Sequence, residues 1–119
     1  MLFRSYNTST YGVGKTYTVL ATWEAATDND LVTATAGEVL ECYDNGSSFD
    51  DNLQDWTGAT TNSSYFRVIK PATGEGHDGT PNNGVTFDYT VSVGFGFHIN
   101  ENYAQLQDVV VKQIGRAHV

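Results

Sequence analysis

The chain has one cysteine, one methionine and two prolines, and only 6 of its 119 residues are lysine or arginine. Each scarcity excludes something. A single thiol, Cys42, cannot close an internal disulfide; its expected place is a core position, where it says little about redox compartment. The 14 acids outweigh the bases, giving a net charge of −8. Such a surface repels phosphate backbones and anionic headgroups, which disfavours nucleic-acid and anionic-membrane partners. No apolar run approaches the ~20 residues of a spanning helix, so membrane insertion is not expected. No charged segment followed by an apolar stretch marks a signal peptide. What remains is too apolar for disorder and about the length of one small domain.

The two ends, "MLFRS" and "QIGRAHV", fit no element beside them. "LFRS" can be written CTC TTC CGA TCT, whose reverse complement is AGATCGGAAGAG. That string lies within CAG ATC GGA AGA GCA CAC GTC, one coding of "QIGRAHV". Both ends therefore resemble translations of inverted copies of a short-read sequencing adapter. Residues 1–4 and 114–119 are expected to be non-native, and residues 5–113 to be an incomplete domain cut from a longer reading frame.

Within that span, residues 6–15, "YNTSTYGVGK", are polar and Gly-spaced and read as a loop or ragged start. Val19, Leu20, Trp23 and Ala26 follow helical spacing, with Thr18 as N-cap, which predicts a short amphipathic helix over residues 19–27. Asp28, Asn29 and Asp30 end it by competing for backbone hydrogen bonds.

After Leu31 the period becomes two. "EVLECYD", "NLQDWT", "YFRVIKPA", "GVTFDYT", "FGFHIN" and "YAQLQDVVVKQ" read as short strands separated by Gly-, Asn-, Ser- and Asp-rich turns. The fold class is mainly β. A small β-sandwich and a parallel coil with strands on successive faces both suit the spacing. The helix ahead of the strands, as a cap, favours the coil. So does the polar break at Gln107 and Asp108, which separates Ala104 and Leu106 from Val109 and Val111 as a corner would. Leu40, Cys42, Phe66, Val68, Leu106, Val109 and Val111 are expected to point inward.

Few residues carry chemistry. "GEGHDGTPNNG" places His77 beside Glu75 and Asp78, a conceivable metal or acid–base set, but adjacent residues rarely converge on one ion, and a solvated Gly-rich loop is favoured. "DNGSSFDD" offers Asp44, Asn45, Asp50 and Asp51 as oxygen ligands for a hard cation. It lacks EF-hand spacing and a terminal Glu, and a solvated turn is favoured. No cofactor or metal is therefore assigned. "GVGKT" lacks the first glycine, the preceding strand and the long helix of a phosphate-binding loop. Among the aromatics, Tyr43 and Trp56 adjoin polar turns and are the candidates for an exposed carbohydrate-stacking platform. Arg67 and Lys70 share a strand, on opposite faces, and are the interior candidates for a catalytic base. No Ser/His/Asp or Cys/His set has supporting context.

Taken together, "YTVLATWEAATDNDLVTA", "GEVLECYD", "FRVIKPATGEGHDGTPNNGVTF" and "HINENYAQLQDVVVK" resemble the opening of right-handed parallel β-helix proteins of the pectin-lyase-like superfamily, of bacterial or phage type. Tyr17, Leu20, Trp23 and Glu24 match the capping helix, and Tyr103, Leu106, Val109 and Val111 match the start of the regular coils. Gly94 and Gly96 depart from a tight strand. The resemblance covers nearly all of residues 17–113. It implies a capping helix with the first coils of a β-helix, further coils of a parent chain as the partner, and an extracellular, cell-surface or virion location. It implies two function classes. One is a non-catalytic cap of an adhesin or tail-type fibre that binds carbohydrate or a surface. The other is the cap of a polysaccharide lyase or glycoside hydrolase whose catalytic groups sit on later coils.

Overall fold

A computed structural model describes residues 5–44, 49, 53–76, 84–89 and 97–113, with residues 53–55, 88, 89, 97, 98, 112 and 113 described by backbone alone. The end segments 1–4 and 114–119, and with them the adapter reading, lie outside the described residues, as do Gly94 and Gly96.

The elements run β1 (Tyr6–Tyr11), α1 (Leu20–Ala26), α2 (Leu31–Ala34), β2 (Gly37–Cys42), β3 (Leu53–Trp56), β4 (Arg67–Pro71), β5 (Thr86–Tyr89), β6 (Phe97–Ile99), β7 (Ala104–Leu106) and β8 (Val110–Gln113). The protein is mainly strand, and every ladder between these strands is parallel. Three sheets form: a four-stranded one in the order β1-β2-β4-β7, and two pairs, β3-β6 and β5-β8. From β4 onward the chain visits the four-stranded sheet, the β5-β8 sheet and the β3-β6 sheet in turn, then returns to the first and second of these. One turn earlier, Phe49 makes an isolated parallel bridge to Phe87 and so occupies the place of a strand beside β5.

The stretch at residues 6–15 is the first departure from expectation. Tyr6–Tyr11 is a strand, registered from Tyr6 against Gly37 to Tyr11 against Cys42. Its Thr and Tyr side chains suit a pleated surface. As an edge strand it needs only one buried side chain, Tyr11, so hydrophobic alternation could not reveal it.

Helix α1 starts one residue later than predicted. Val19, not Thr18, is the N-cap, and it makes no side-chain capping bond. Leu20 and Trp23 are buried, while Val19 and Ala26 are exposed, so the apolar stripe is narrower than its spacing implies. Thr27 closes the helix by donating both its backbone N–H (3.0 Å) and its hydroxyl (2.8 Å) to the Trp23 carbonyl. The Asp28–Asp30 segment also starts something: Asp30 caps α2, its carboxylate accepting from the Thr33 amide (3.0 Å) and the Thr33 hydroxyl (2.8 Å). Thr35, in the left-handed region at φ 51°, ends α2 and turns the chain into β2.

The main core gathers Tyr11, Leu20, Trp23, Leu40, Cys42, Trp56, Ile69, Val85 and Phe87, with Leu106 and Val109 packed against it. Burial of each large apolar side chain here contributes about 1.5–3 kcal/mol. Leu40, Cys42, Leu106 and Val109 thus point inward as expected. Phe66 and Val68 do not. They join Val39 and Tyr6 in a second cluster on the opposite side of the four-stranded sheet. Ile69 follows Val68 directly, so β4 carries apolar side chains on both faces and alternation alone cannot choose between them. Val111 is 38% exposed.

The break at Gln107 and Asp108 is a corner. β7 belongs to one sheet and β8 to another, and Asp108 sits at φ 52° between them. Gln107 N–H donates to the Ile69 carbonyl and Val110 N–H to the Val85 carbonyl, both at 2.9 Å, so pairing with the underlying turn continues around the bend.

Candidate functional site: a buried arginine and an outer cleft

Arg67 is the first residue of β4, and its side chain points to the same face as that of Ile69, into the core. It is fully buried, and its guanidinium binds several elements at once. Nη2 forms an ion pair with Glu24 of α1 at 3.2 Å and a second, closer one with Glu101. Nη1 donates to the Glu24 carbonyl (2.9 Å) and the Thr27 hydroxyl (3.2 Å), Nε to Glu101 Oε2 (3.3 Å), and Nη2 to the Thr57 carbonyl (3.3 Å). The guanidinium also lies 5.8 Å from the centre of the Trp23 ring. Burial pushes its pKa below the ordinary value, and the hydrogen bond and charge of Glu24 pull it back. A guanidinium stays charged in such a setting, and two carboxylates with backbone carbonyls compensate it.

The carboxylates extend the network. Glu24 also accepts from the Thr57 amide (3.3 Å), and Glu101 from the Ala59 amide (3.3 Å). Asn100 N–H donates to the Trp56 carbonyl (2.8 Å), and Thr57 hydroxyl donates to the Asn100 carbonyl (2.9 Å). One cation therefore fixes helix α1, the loop after β3 and the loop before β7. Sealed from solvent with its donors occupied, Arg67 can neither abstract a proton from a substrate nor grip an anion. Its role is positional.

The loop that Glu101 holds carries Asn102 and Tyr103 to the outer side of the four-stranded sheet. Together with Ser63, Phe66, Ala104 and Gln105 they line an open cleft of about 350 Å³. Ala104 is in register with Arg67, so the preceding residues, Tyr103 and Phe66, stand side by side. Phe66 forms the buried floor, and Tyr103 is 46% exposed. The opposite rim is fixed by Asn62, whose side-chain oxygen accepts from the Ser64 and Tyr65 amides, both at 2.8 Å. The Gln105 side-chain oxygen accepts a hydrogen bond from the Gln107 side-chain Nε2.

The sequence-derived candidates fare differently. Asp44 and Glu75 do meet, but through the Asp44 backbone amide, which donates to Glu75 Oε1 at 2.9 Å. Asp50, Asp51, His77 and Asp78 lie outside the described residues. Among the described residues no group of three His, Cys, Asp or Glu could hold a metal ion. Tyr43 is half-buried with the Lys15 ammonium 4.1 Å above its ring, so that face is already occupied. Trp56, read as exposed from its polar neighbours, is fully buried and packs edge-on against Trp23 with ring centres 5.9 Å apart. Polar flanks mislead here because they do not say which face of β3 Trp56 takes, and it points inward. Burial pushes the Cys42 thiol up to about 12, which leaves it unreactive near neutral pH.

Sequence reasoning missed the cleft and the Arg67 network. Correct parity at "YFRVI" would have put Arg67 inside and Phe66 outside, but the partners of both come from distant segments that only the register of β4 with β7 brings to them. No protein-family model matches the chain, and no curated protein or solved structure matches it either.

Proposed function

We propose that this chain is the capping end of a right-handed parallel β-helix, a non-catalytic segment of an extracellular or virion-associated protein. Three features support the reading. The chain visits three parallel sheets cyclically, and a parallel crossover of this kind is right-handed in nearly all proteins. Helix α1 packs on β3, the first strand of its sheet, as a cap does. Arg67, the buried base on β4, is committed to structure.

The observation that carries the proposal is the exposure of the last turn. Trp56 is 0% exposed, but Ile99, in register with it on β6, is 41% exposed. Phe87 is likewise 0% exposed, while Val111, in register with it on β8, is 38% exposed. The same positions that are sealed one turn earlier are open in the last, a face shaped to receive a further turn. In stacked architectures each unit buries its inner face only against its neighbours.

Inter-strand nuclear Overhauser effects on the isolated chain test the architecture. Parallel patterns linking Val39 to Val68 and Val68 to Gln105 are expected; close Hα–Hα contacts of antiparallel pairs would overturn it. Assays on acidic polysaccharides test the non-catalytic assignment, which fails if this chain depolymerises them.

A further inference from the structure

The outer cleft combines three properties that point to a ligand class. Its apolar surface is aromatic: Phe66 supplies the floor and the exposed ring of Tyr103 a wall. Its polar groups are uncharged hydroxyls and amides, from Ser63, Asn102, Gln105 and Tyr103 itself. Its rims are held in place before any ligand arrives, one by the Asn62 side chain and the other by Glu101 under Arg67. Pre-set rims reduce the ordering cost of binding.

A pyranose ring matches this surface. It offers a C–H face to an aromatic ring and hydroxyls, at once donors and acceptors, to amides. The cleft volume of about 350 Å³ suits a mono- or disaccharide unit and is near the lower end of ligand sites, which run from about 300 to 1,000 Å³. Charge narrows the class further. No lining residue among those described is charged, and the chain carries −8 overall, so uronates and sulfated sugars gain no partner there and meet repulsion.

We propose that the cleft binds a neutral carbohydrate, with Tyr103 stacked on a sugar face and Asn102 and Gln105 reading its hydroxyls. The site goes beyond the capping role and does not depend on it, since every lining residue belongs to this chain.

The test titrates the full chain with maltohexaose and cellohexaose, and with trigalacturonate as the anionic comparison, following backbone amide shifts and calorimetric heats. The expected result is that one of the neutral sugars shifts the amides of residues 102–105 and binds more tightly than trigalacturonate. Tyr103→Ala should then weaken binding at least about tenfold, equivalent to about 1.4 kcal/mol. Tyr103→Phe should keep affinity within about threefold, because the stacking face survives. Unchanged thermal melting of both variants shows that the fold is intact. The proposal is overturned if neither neutral sugar shifts these amides, if trigalacturonate binds more tightly, or if binding survives Tyr103→Ala. It is also overturned if the cleft responds only to protein concentration and Tyr103→Ala abolishes that response, which would make it a contact between copies of the chain.

Discussion

Arg67 and Glu24, 43 residues apart in sequence, meet at 3.2 Å between Nη2 and Oε2 in an interior where the arginine side chain is wholly shielded from water. An isolated buried ion pair contributes little over an apolar replacement, but removing one partner strands the other. Arg67→Ala leaves both Glu24 and Glu101 without their cation. It is expected to cost about 3–5 kcal/mol in urea unfolding. Arg67→Lys should also destabilise, because an ammonium cannot span two carboxylates and the Thr57 carbonyl as the planar fork does. A loss below about 1 kcal/mol for the alanine variant would show that the network is incidental.

The buried indoles give a second expectation. Among the described residues neither Trp23 Nε1 nor Trp56 Nε1 has a hydrogen-bond partner. Trp56→Phe therefore sacrifices volume but no hydrogen bond, and should cost about 1–2 kcal/mol. Trp56→Ala should cost about 3–5 kcal/mol by opening a cavity against Trp23. Chemical denaturation of the two variants gives the comparison. Equal losses would mean that the indole is held by something other than packing.

Gly37 faces a close approach. A β-carbon there would lie 2.7 Å from the Tyr6 ring and 2.8 Å from the Phe66 carbonyl oxygen, and the carbonyl belongs to backbone that cannot swing away. Gly37→Ala should cost about 1–3 kcal/mol and disturb Phe66, the floor of the cleft. Gly76→Ala is the control, since among the described residues its β-carbon would meet only Pro71 Cγ at 3.8 Å, and its effect should stay within about 0.5 kcal/mol. Paired thermal melts distinguish the two, and similar shifts would refute the steric account.

Acid should loosen α2 first at its N-terminus. The backbone amide of Thr33, followed by its hydroxyl, holds the Asp30 carboxyl below the ordinary value of 3.8. A depressed carboxyl stabilises the folded state above that ordinary value, and the contribution is lost as pH falls through the folded one. The Thr33 amide resonance should therefore move toward its random-coil position at the acidic end of a titration. Asp30→Ala should abolish that movement, and a titration curve identical in the variant would remove Asp30 as its cause.

How much of this was legible in the sequence depended on whether one side chain or many set the signal. Leu20 and Trp23 announced α1 because helical spacing needs only its buried face. Gln107 and Asp108 announced the corner because two polar residues inside an apolar run leave few alternatives. Phe66, Val68 and Ile69 gave no such choice, since a strand apolar on both faces fits either orientation. β1 was invisible because an edge strand pairs through its backbone. The cleft was out of reach for a related reason: Ser63 and Phe66 meet Tyr103 and Gln105 only when residues far apart in sequence fall into register.

The parallel ladders also govern how the chain must fold. Asn7 bonds Glu38 across 31 residues, Arg67 bonds Glu101 across 34, and Thr57 bonds Asn100 across 43. None of the described strands pairs with a neighbour through a tight turn, so each of these ladders closes a long loop before it buries anything. Loop closure charges its entropy in advance, and domains built from such distant pairings fold in about milliseconds to seconds rather than microseconds. During synthesis, β1 emerges roughly two to six seconds before β2 at about 5–20 residues per second, and it stays an unpaired polar strand for that time. Its Thr, Ser and Asn side chains, which hid it from hydrophobic patterning, keep it soluble while it waits.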